Sequence, residues 1–476
     1  MARAGATPDR TAFFLIDDQD RVTALTCAEA LAGARRAAGG LAARGVRRGQ
    51  VVVLCLDTSL DLVALILGCQ LLGAVPALIE PPPWTARPGE WPERARWTVE
   101  RSGASLLVVD RPLREAALHA VARIRSADAC SAGELDVDAE APGGELPRPA
   151  ELAFLQFTPG TSSEPKGVRI SNAALVANVR ALQAAGAWTS SDCVVSWLPL
   201  HHDMGLVGGM LAPLICGFPA VLMSPSSVLF RPARWLWAMH HFRGTLSPAP
   251  NYAYQLCLKR IADEELKGLD LRSWRGAYNG AERVLPETVA RFFQRFAAYG
   301  FRANAMRPCY GMAEVTLAVS ATPLDRPPRV DTVSRAELVR QGIALRTSPG
   351  DGATRLVGVG RPLPGFEIRI AGEGGAALPE RFQGEIWVRG PSLFSGYLGA
   401  EGSGLQEGGW LRTGDLGYFA DGELFVSGRA ELAIKSGRHQ APTTWRRRQA
   451  VVPRRRARAR VPERALTLSP ETPPPR

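Results

Sequence analysis

From about residue 10 to about residue 325, short apolar runs alternate with longer helical patterns, and this alternation restricts the chain to few folds. Val51–Leu56, Ser105–Val109, Leu152–Phe157, Cys193–Trp197, Ala220–Met223, Thr245–Ser247 and Gly276–Tyr278 read as strands. Between them, Ala173–Ala185, Pro232–Phe242, Asn251–Ile261 and Pro286–Phe296 carry amphipathic or apolar helical patterns. Strands that are apolar on both faces need cover on both sides, and intervening helices supply it, so an α/β arrangement of largely parallel sheets follows. Residues 357–428 differ. Phe366–Ile370, Gly384–Val388 and Glu423–Ser427 are short strands separated by Gly-rich turns, as in a small β-barrel-like subdomain. No internal repeat is visible.

A chain of 476 residues at 46% hydrophobic and 22% charged content is ordinary for a soluble globular protein of about three domains. Met1–Arg10 is polar, without the apolar core of a secretory signal. Leu62–Ile79 is 18 residues without a charge, but Gly68, Gly73 and Pro76 interrupt it. It reads as a buried helix followed by a strand, not a membrane span. Cys27, Cys55, Cys69, Cys130, Cys193, Cys216, Cys257 and Cys309 form no CxxC pair and mostly sit in apolar stretches, as core thiols of a reduced cytoplasmic protein would. The net charge of +11 invites a nucleic-acid reading. Ten arginines against two glutamates in residues 441–476 leave only +3 for the first 440 residues, so the fold itself gives no reason to expect a nucleic-acid partner.

The chemistry begins at Leu155-Gln-Phe-Thr-Pro-Gly-Thr-Ser-Ser-Glu-Pro-Lys-Gly167. An apolar strand breaks into a loop of hydroxyls and glycines closed by Pro165-Lys166-Gly167. Such a loop offers backbone N–H groups, hydroxyls and one mobile cation to a polyphosphate. Alone, the same letters fit a Ser/Gly-rich surface turn with a chance lysine. The segment is not a Walker loop, which needs Gly-Lys-Ser/Thr.

Further motifs follow in order: Trp197-Leu-Pro-Leu-His-His-Asp-Met-Gly205, Asn279-Gly-Ala-Glu282, Tyr310-Gly-Met-Ala-Glu314, Gly384-Glu-Ile-Trp-Val-Arg-Gly390, Leu411-Arg-Thr-Gly-Asp-Leu416 and Gly428-Arg429. With the loop, in this order and spacing, they resemble the adenylate-forming enzymes, a superfamily of acyl-CoA ligases, luciferases and nonribosomal-peptide adenylation domains. The resemblance runs from about residue 10 to about residue 440. It implies a large N-terminal adenylation domain, residues 1–428, of two helix-flanked, largely parallel sheets plus the small β subdomain at about 357–428. A hinge at 429–442 would open a small C-terminal α+β domain.

The resemblance also assigns roles. Thr158, Gly160, Thr161, Ser162 and Gly167 would line the phosphate loop, with Lys166 as its cation. Pro159 stands where a serine is usual and Ser163 where a glycine is usual, which weakens part of the pyrophosphate grip. Tyr310 would pack on adenine, with Gly311, Met312 and Ala313 completing its turn. Glu314, joined by the Thr158 hydroxyl, would hold Mg²⁺ shared with phosphate oxygens. Asn279, Gly280, Ala281 and Glu282 would face the adenine edge. Asp415 would accept from the ribose hydroxyls, and Arg429 would add a contact at ribose or phosphate. His202 would lie near the carboxylate and α-phosphate, with Asp203 holding its loop. Taken by themselves, His201 and His202 would point to opposite sides of a strand, and no spaced partner such as HxxxH completes a zinc site. His240-His241, on a helical pattern with Trp235 and Trp237, reads as structural.

Within the superfamily the wording is most similar to the fatty-acyl-AMP ligases. Ala313 stands where most relatives carry threonine, and Leu200–Leu206 and Val221–Pro225 share that branch's wording. Glu314 and Gly360 are 46 residues apart, longer than acyl-CoA ligases need. The extra segment, about Arg326 to Arg355, corresponds to the insertion associated with failure to use CoA. The implied reaction joins a fatty acid to AMP with release of pyrophosphate. The implied partner is an acyl carrier protein of polyketide or nonribosomal-peptide synthesis, whose phosphopantetheine thiol takes the acyl group. An acyl-CoA ligase and a non-catalytic remnant that only binds nucleotide or fatty acid are the alternatives. The remnant reading comes from residues 443–476, where Arg, Pro and Ala without apolar periodicity read as an out-of-frame tail in place of the family's C-terminal domain, or as a basic disordered tail.

Overall fold

The computed structural model describes residues 2–82, 89–135, 145–158, 165–400 and 404–430. Residues 431–442 of the expected hinge and the expected tail at 443–476 lie outside these residues, as do Pro159 to Glu164 of the phosphate loop. Two large sheets carry most of the chain up to residue 362. In the first, six strands lie in the spatial order Asp128–Ser131, Leu106–Val109, Val51–Cys55, Val75–Leu78, Leu152–Thr158 and Lys166–Ser171. The first five are parallel and the last is antiparallel to its neighbour. Runs such as Val51-Val-Val-Leu-Cys55 are buried on both faces, as the apolar pattern requires.

The second sheet has nine strands, in the order Arg361–Pro362, Ser320–Ala321, Met306–Tyr310, Gly276–Gly280, Leu246–Pro250, Val194–Ser196, Ala220–Met223, Thr11–Ile16 and Val22–Thr26. Its six central strands are parallel, and antiparallel strands close both edges. Leu246–Pro250 continues past the expected end at Ser247, through Pro248 and Pro250. The reason is one-sided pairing. The N–H of Leu246 bonds Cys193 toward Val194–Ser196, and pairing on that side stops there, while pairing with Gly276–Gly280 continues to Pro250. Pro248 and Pro250 share the parity of Leu246, so their missing N–H groups fall on the unpaired side.

Leu60–Leu72 is a helix capped by the Ser59 hydroxyl, and the strand Val75–Leu78 follows, so the uncharged run divides as its interruptions require. Among the described residues no helix is long and apolar enough to cross a membrane. All eight cysteines are free, and burial pushes the thiols of Cys55, Cys69 and Cys193 up to about 12. An aromatic cluster of Trp235, Tyr254, Trp274, Phe292 and Phe301 fills the second sheet's core, with ring centroids 5.0–6.5 Å apart.

The small β subdomain is a four-stranded antiparallel sheet of Glu367–Ala371, Gly384–Arg389, Leu411–Ala420 and Glu423–Arg429. The segment 326–355 lies against it. Val330–Ser334 and Ala353–Val357 pair antiparallel, with the helix Arg335–Gln341 between them. Val333, Leu338, Ala344 and Leu356 form one cluster with Tyr418, Ala420 and Phe425. Arg326 pairs with the buried carboxylate of Glu423. Asp331, also buried, accepts hydrogen bonds from Tyr418 Oη at 2.9 Å and from Arg381 at 3.1 Å. Replacing Asp331 with Ala leaves the Arg381 charge without its carboxylate, which for a buried pair costs about 3–5 kcal/mol. In Asp331→Ala, amide exchange across 330–334 and 353–357 should quicken by about tenfold or more while the six-stranded sheet is unchanged, measured by hydrogen exchange.

Candidate active site

The phosphate-loop flanks face each other. Leu152–Thr158 and Lys166–Ser171 form an antiparallel pair in which Thr158 is opposite Lys166 and Phe157 opposite Gly167. Thr158 is half-buried and Lys166 exposed, and the cross-strand pair shares one face. Gly160, Thr161 and Ser162 lie outside the described residues. Gly167 is closely packed: a Cβ there would come within 3.0 Å of the Leu398 Cβ and 3.2 Å of the Phe157 ring, so these side chains would have to shift.

The other motifs leave the carboxyl ends of parallel strands, where open α/β sheets place their ligands. Val194–Ser196 leads to the His201-His202 turn, Gly276–Gly280 carries Asn279 and Gly280, and Met306–Tyr310 ends at Tyr310. The histidines are not on a strand as expected. Pro199 begins a turn, and Asp203 ends it by accepting from the Met204 N–H at 2.7 Å at the start of a π-helix, Met204–Leu211. The Gln156 amide ties this turn to the first sheet through the His201 carbonyl, at 2.5 Å. Burial pushes the His201 pKa down to about 4, so that ring is neutral at pH 7. Burial also opposes protonation of His202, but the Asp203 carboxylate, 2.7 Å from Nδ1, outweighs it and raises the pKa. The His202 side chain remains 48% exposed.

Asn279 is fully buried, and its amide oxygen has no partner among the described residues. Ala281 takes a left-handed conformation (φ 62°) and is exposed. Glu282 is already engaged. Its carboxylate accepts the Tyr252 N–H at 2.5 Å at the start of the helix Asn251–Arg260, and burial raises its pKa. It acts as a helix cap.

The turn after Tyr310 is tightly folded. A Cβ on Gly311 would sit 1.8 Å from the Leu317 carbonyl oxygen, so no other residue fits. Half-buried Met312 and buried Ala313 lead to half-buried Glu314. Asn178, on the helix Asn172–Gly186, holds this turn. Its amide donates to the carbonyls of Val315 and Ala318 and to the Ser392 hydroxyl at 2.8–3.1 Å, and accepts from the Ala318 N–H. Asn178 escaped the motif reading, although an asparagine at a core position of an apolar helix is itself a signal. Tyr397 escaped it too. Its hydroxyl donates to Glu314 Oε1 at 2.8 Å, and its ring lies 5.0 Å from Lys166 Nζ.

Tyr310 reaches the small subdomain, where its hydroxyl donates to Asp415 Oδ2 at 2.7 Å. Asp415 and Arg429 face each other across neighbouring strands, with Arg429 Nε 2.9 Å from Asp415 Oδ1. Burial raises the Asp415 pKa against the opposing pull of Arg429. A carboxylate offers about four acceptor positions, so Asp415 keeps two.

Among the described residues no three His, Cys, Asp or Glu side chains cluster as a metal cage. Glu314 has one carboxylate oxygen bonded to Tyr397 and the other without a hydrogen-bond partner among the described residues. That suits a hard cation held by one carboxylate and shared with phosphate oxygens, as Mg²⁺ commonly is. The residues supply a cation, an imidazole, a carboxylate with one oxygen unpartnered among the described residues, and a buried acceptor for hydroxyls.

Two outcomes test this geometry. Asn178→Ala leaves the Ala318 carbonyl and N–H without their partner, at about 1–3 kcal/mol for each buried group, while the Val315 carbonyl keeps only the Ser392 hydroxyl. It should lower the thermal unfolding temperature and also weaken nucleotide binding. Asp203→Asn should return the His202 pKa to or below its ordinary 6.5, followed by NMR titration of the ring proton. In the native chain the raised pKa means that the His202–Asp203 pair stabilises fully below the ordinary value. This contribution is lost as pH rises through the raised one, and the variant should lose that pH dependence.

A family model described as AMP-binding enzyme matches residues 2–398. A Mycobacterium tuberculosis protein carrying the name fatty-acid–CoA ligase FadD21 is 33% identical over 472 residues, spanning 92% of this chain and 80% of its own. The medium-chain-fatty-acid–[acyl-carrier-protein] ligase JamA of Moorena producens is 39% identical over 306 residues, covering 61% of this chain and 52% of its own. Among solved structures, the fatty acyl-adenylate ligase of Legionella pneumophila in complex with acyl adenylate and pyrophosphate superposes with a TM-score of 0.81 at 30% identity, over 90% of this chain and 76% of that one. The chain therefore belongs to the AMP-binding enzyme family, and is an adenylate-forming ligase similar to the fatty acyl-adenylate ligases.

Proposed function

We propose that the chain activates a fatty acid with ATP to fatty-acyl-AMP and pyrophosphate, and hands the acyl group to the phosphopantetheine thiol of an acyl carrier protein. The observation that carries this reading is a meeting of groups. Tyr397 lies between Lys166 and Glu314, and Tyr310, four residues before Glu314 at the carboxyl end of a central strand, bonds Asp415.

In the proposed reaction a fatty-acid carboxylate oxygen attacks the α-phosphorus of ATP. The bond between that phosphorus and the bridging oxygen breaks, and pyrophosphate leaves. Such transfers depend on positioning and on neutralising negative charge as it develops. Lys166 and the loop containing Thr158, Gly160, Thr161, Ser162 and Gly167 would neutralise the departing pyrophosphate. His202, held through Nδ1 by Asp203, would turn Nε2 toward the carboxylate and α-phosphate. Mg²⁺, when bound, would screen the phosphate charges. Glu314 with its free oxygen, joined by the Thr158 hydroxyl, would hold it. Tyr310, with Gly311, Met312 and Ala313 behind it, would stack on adenine. The unpartnered Asn279 oxygen is an acceptor suited to the adenine amino group, with Gly280 and Ala281 as backbone contacts. Glu282 would support this edge as a cap. Asp415 would take the ribose hydroxyls, with Arg429 beside it.

The fatty-acyl-AMP ligase branch rests on Ala313 and on the packed segment 326–355, and the carrier-protein acceptor on the likeness to JamA. Purified chain with Mg-ATP and a mid-length fatty acid should form acyl-adenylate detectable by mass spectrometry. Lys166→Ala and Glu314→Ala should each lower its rate by about a hundredfold or more, in line with removal of a charge-stabilising group. Product unchanged in both variants would overturn the site. Acyl transfer to CoA in preference to a phosphopantetheinylated carrier would overturn the branch.

A further inference from the structure

We propose that Tyr397 is a positioning residue that keeps Glu314 and Lys166 apart and aimed, so that the carboxylate meets the cation and the ammonium meets the phosphates. The inference deepens the proposed function and rests on its assignment of Glu314 to Mg²⁺.

A lysine and a glutamate on either side of one aromatic residue have an easier course, which is to neutralise each other. They do not, since no ion pair within 4.0 Å joins Lys166 and Glu314, although neither is exempt from such a pairing by burial. Both contact Tyr397 instead. The hydroxyl donates to Glu314 Oε1 at 2.8 Å, and the Lys166 ammonium lies 5.0 Å from the ring centroid. The ring's negative face attracts the cation, and its polar edge fixes the anion. One side chain therefore satisfies both charges in different directions. The free Glu314 oxygen is left for a metal, and the ammonium is held by a contact that a phosphate can outbid.

The backbone explains why Tyr397 is accurate enough for this role. Residues 394–398 lie along Lys166–Ser171 as an added antiparallel strand. The N–H groups of Ser395 and Leu398 bond the carbonyls of Arg169 and Gly167, and the Arg169 N–H bonds Gly396. Phe394 N–H bonds the Glu314 carbonyl at 2.8 Å. The segment that carries Tyr397 is thus bonded to the strand of Lys166 and to the residue Glu314 itself.

The test separates hydroxyl from ring in the full-length chain. Binding of ATP is measured by calorimetry across a Mg²⁺ series, beside thermal unfolding, for the native protein, Tyr397→Phe, Tyr397→Leu and Glu314→Gln. Tyr397→Phe keeps the ring and should raise the Mg²⁺ concentration for half-maximal ATP binding by about three- to tenfold, with metal-free ATP binding and unfolding temperature nearly unchanged. Tyr397→Leu should add a loss of metal-free ATP binding of similar size, as Lys166 loses its support. A Tyr397→Phe protein with the native Mg²⁺ dependence, beside a Glu314→Gln protein with a weakened one, would overturn the role of Tyr397 alone. A Glu314→Gln protein with native Mg²⁺ dependence would overturn the assignment of Glu314, and this inference with it. Equal losses in metal-free and Mg²⁺-supported binding in Tyr397→Phe, with a lowered unfolding temperature, would make the residue merely structural and also overturn the proposal.

Discussion

The pairing of Lys166–Ser171 with two partners is the constraint on which the site depends. On one side it joins Leu152–Thr158 and so belongs to the six-stranded sheet. On the other it would be an open edge, with unpaired backbone groups beside the phosphate loop. Residues 395–398 fill that edge. The chain arrives there from the small β subdomain, after Gly384–Arg389, so closing the edge also fixes where the subdomain's strands begin. From this seam, bonds lead to Glu314 through Phe394 and Tyr397, and to the Val315 and Thr316 backbone and side chain through Ser392. Remove the seam and Lys166, Glu314 and the Asp415 sheet lose their common reference.

Strands were legible where burial on both faces leaves an uninterrupted apolar run, as in Val51–Cys55 and Ala220–Met223, because there the local letters and the tertiary environment demand the same thing. They were less legible where a tertiary asymmetry decides. Leu246–Pro250 tolerates two prolines only because one neighbour stops pairing after Leu246, which no local pattern reports. The His201-His202 turn is a similar case. The adjacent histidines were read as strand residues on opposite faces, yet they sit in a turn and Asp203 caps a helix through the very next N–H.

The site shows the same division. Tyr310, Asp415, Lys166 and Glu314 stood out because motif order marks them, and the fold brings them near one another through named bonds. Asn178 and Tyr397 did not, because their partners are distant in sequence: Asn178 bonds residues 137 to 214 positions away, and Tyr397 bonds one 83 positions away. Their own neighbourhoods are ordinary. Glu282 shows the converse, a motif residue whose carboxylate the fold spends on the helix that begins at Asn251.

The segment 326–355 bears on the strands that carry Asp415 and Arg429. It is not a loose insertion. Arg326 and Asp331 bind buried carboxylate and guanidinium partners on the strands Leu411–Ala420 and Glu423–Arg429 and on Arg381, and its apolar side shares a core with Tyr418 and Phe425. Leu411–Ala420 is also the strand that carries Asp415, and Glu423–Arg429 the one that carries Arg429. Burying a charged residue without its partner is costly, so these pairs resist separation more than an exposed ion pair would. The segment therefore stiffens the two strands that would hold the ribose, at the point where the chain passes Arg429 and continues beyond.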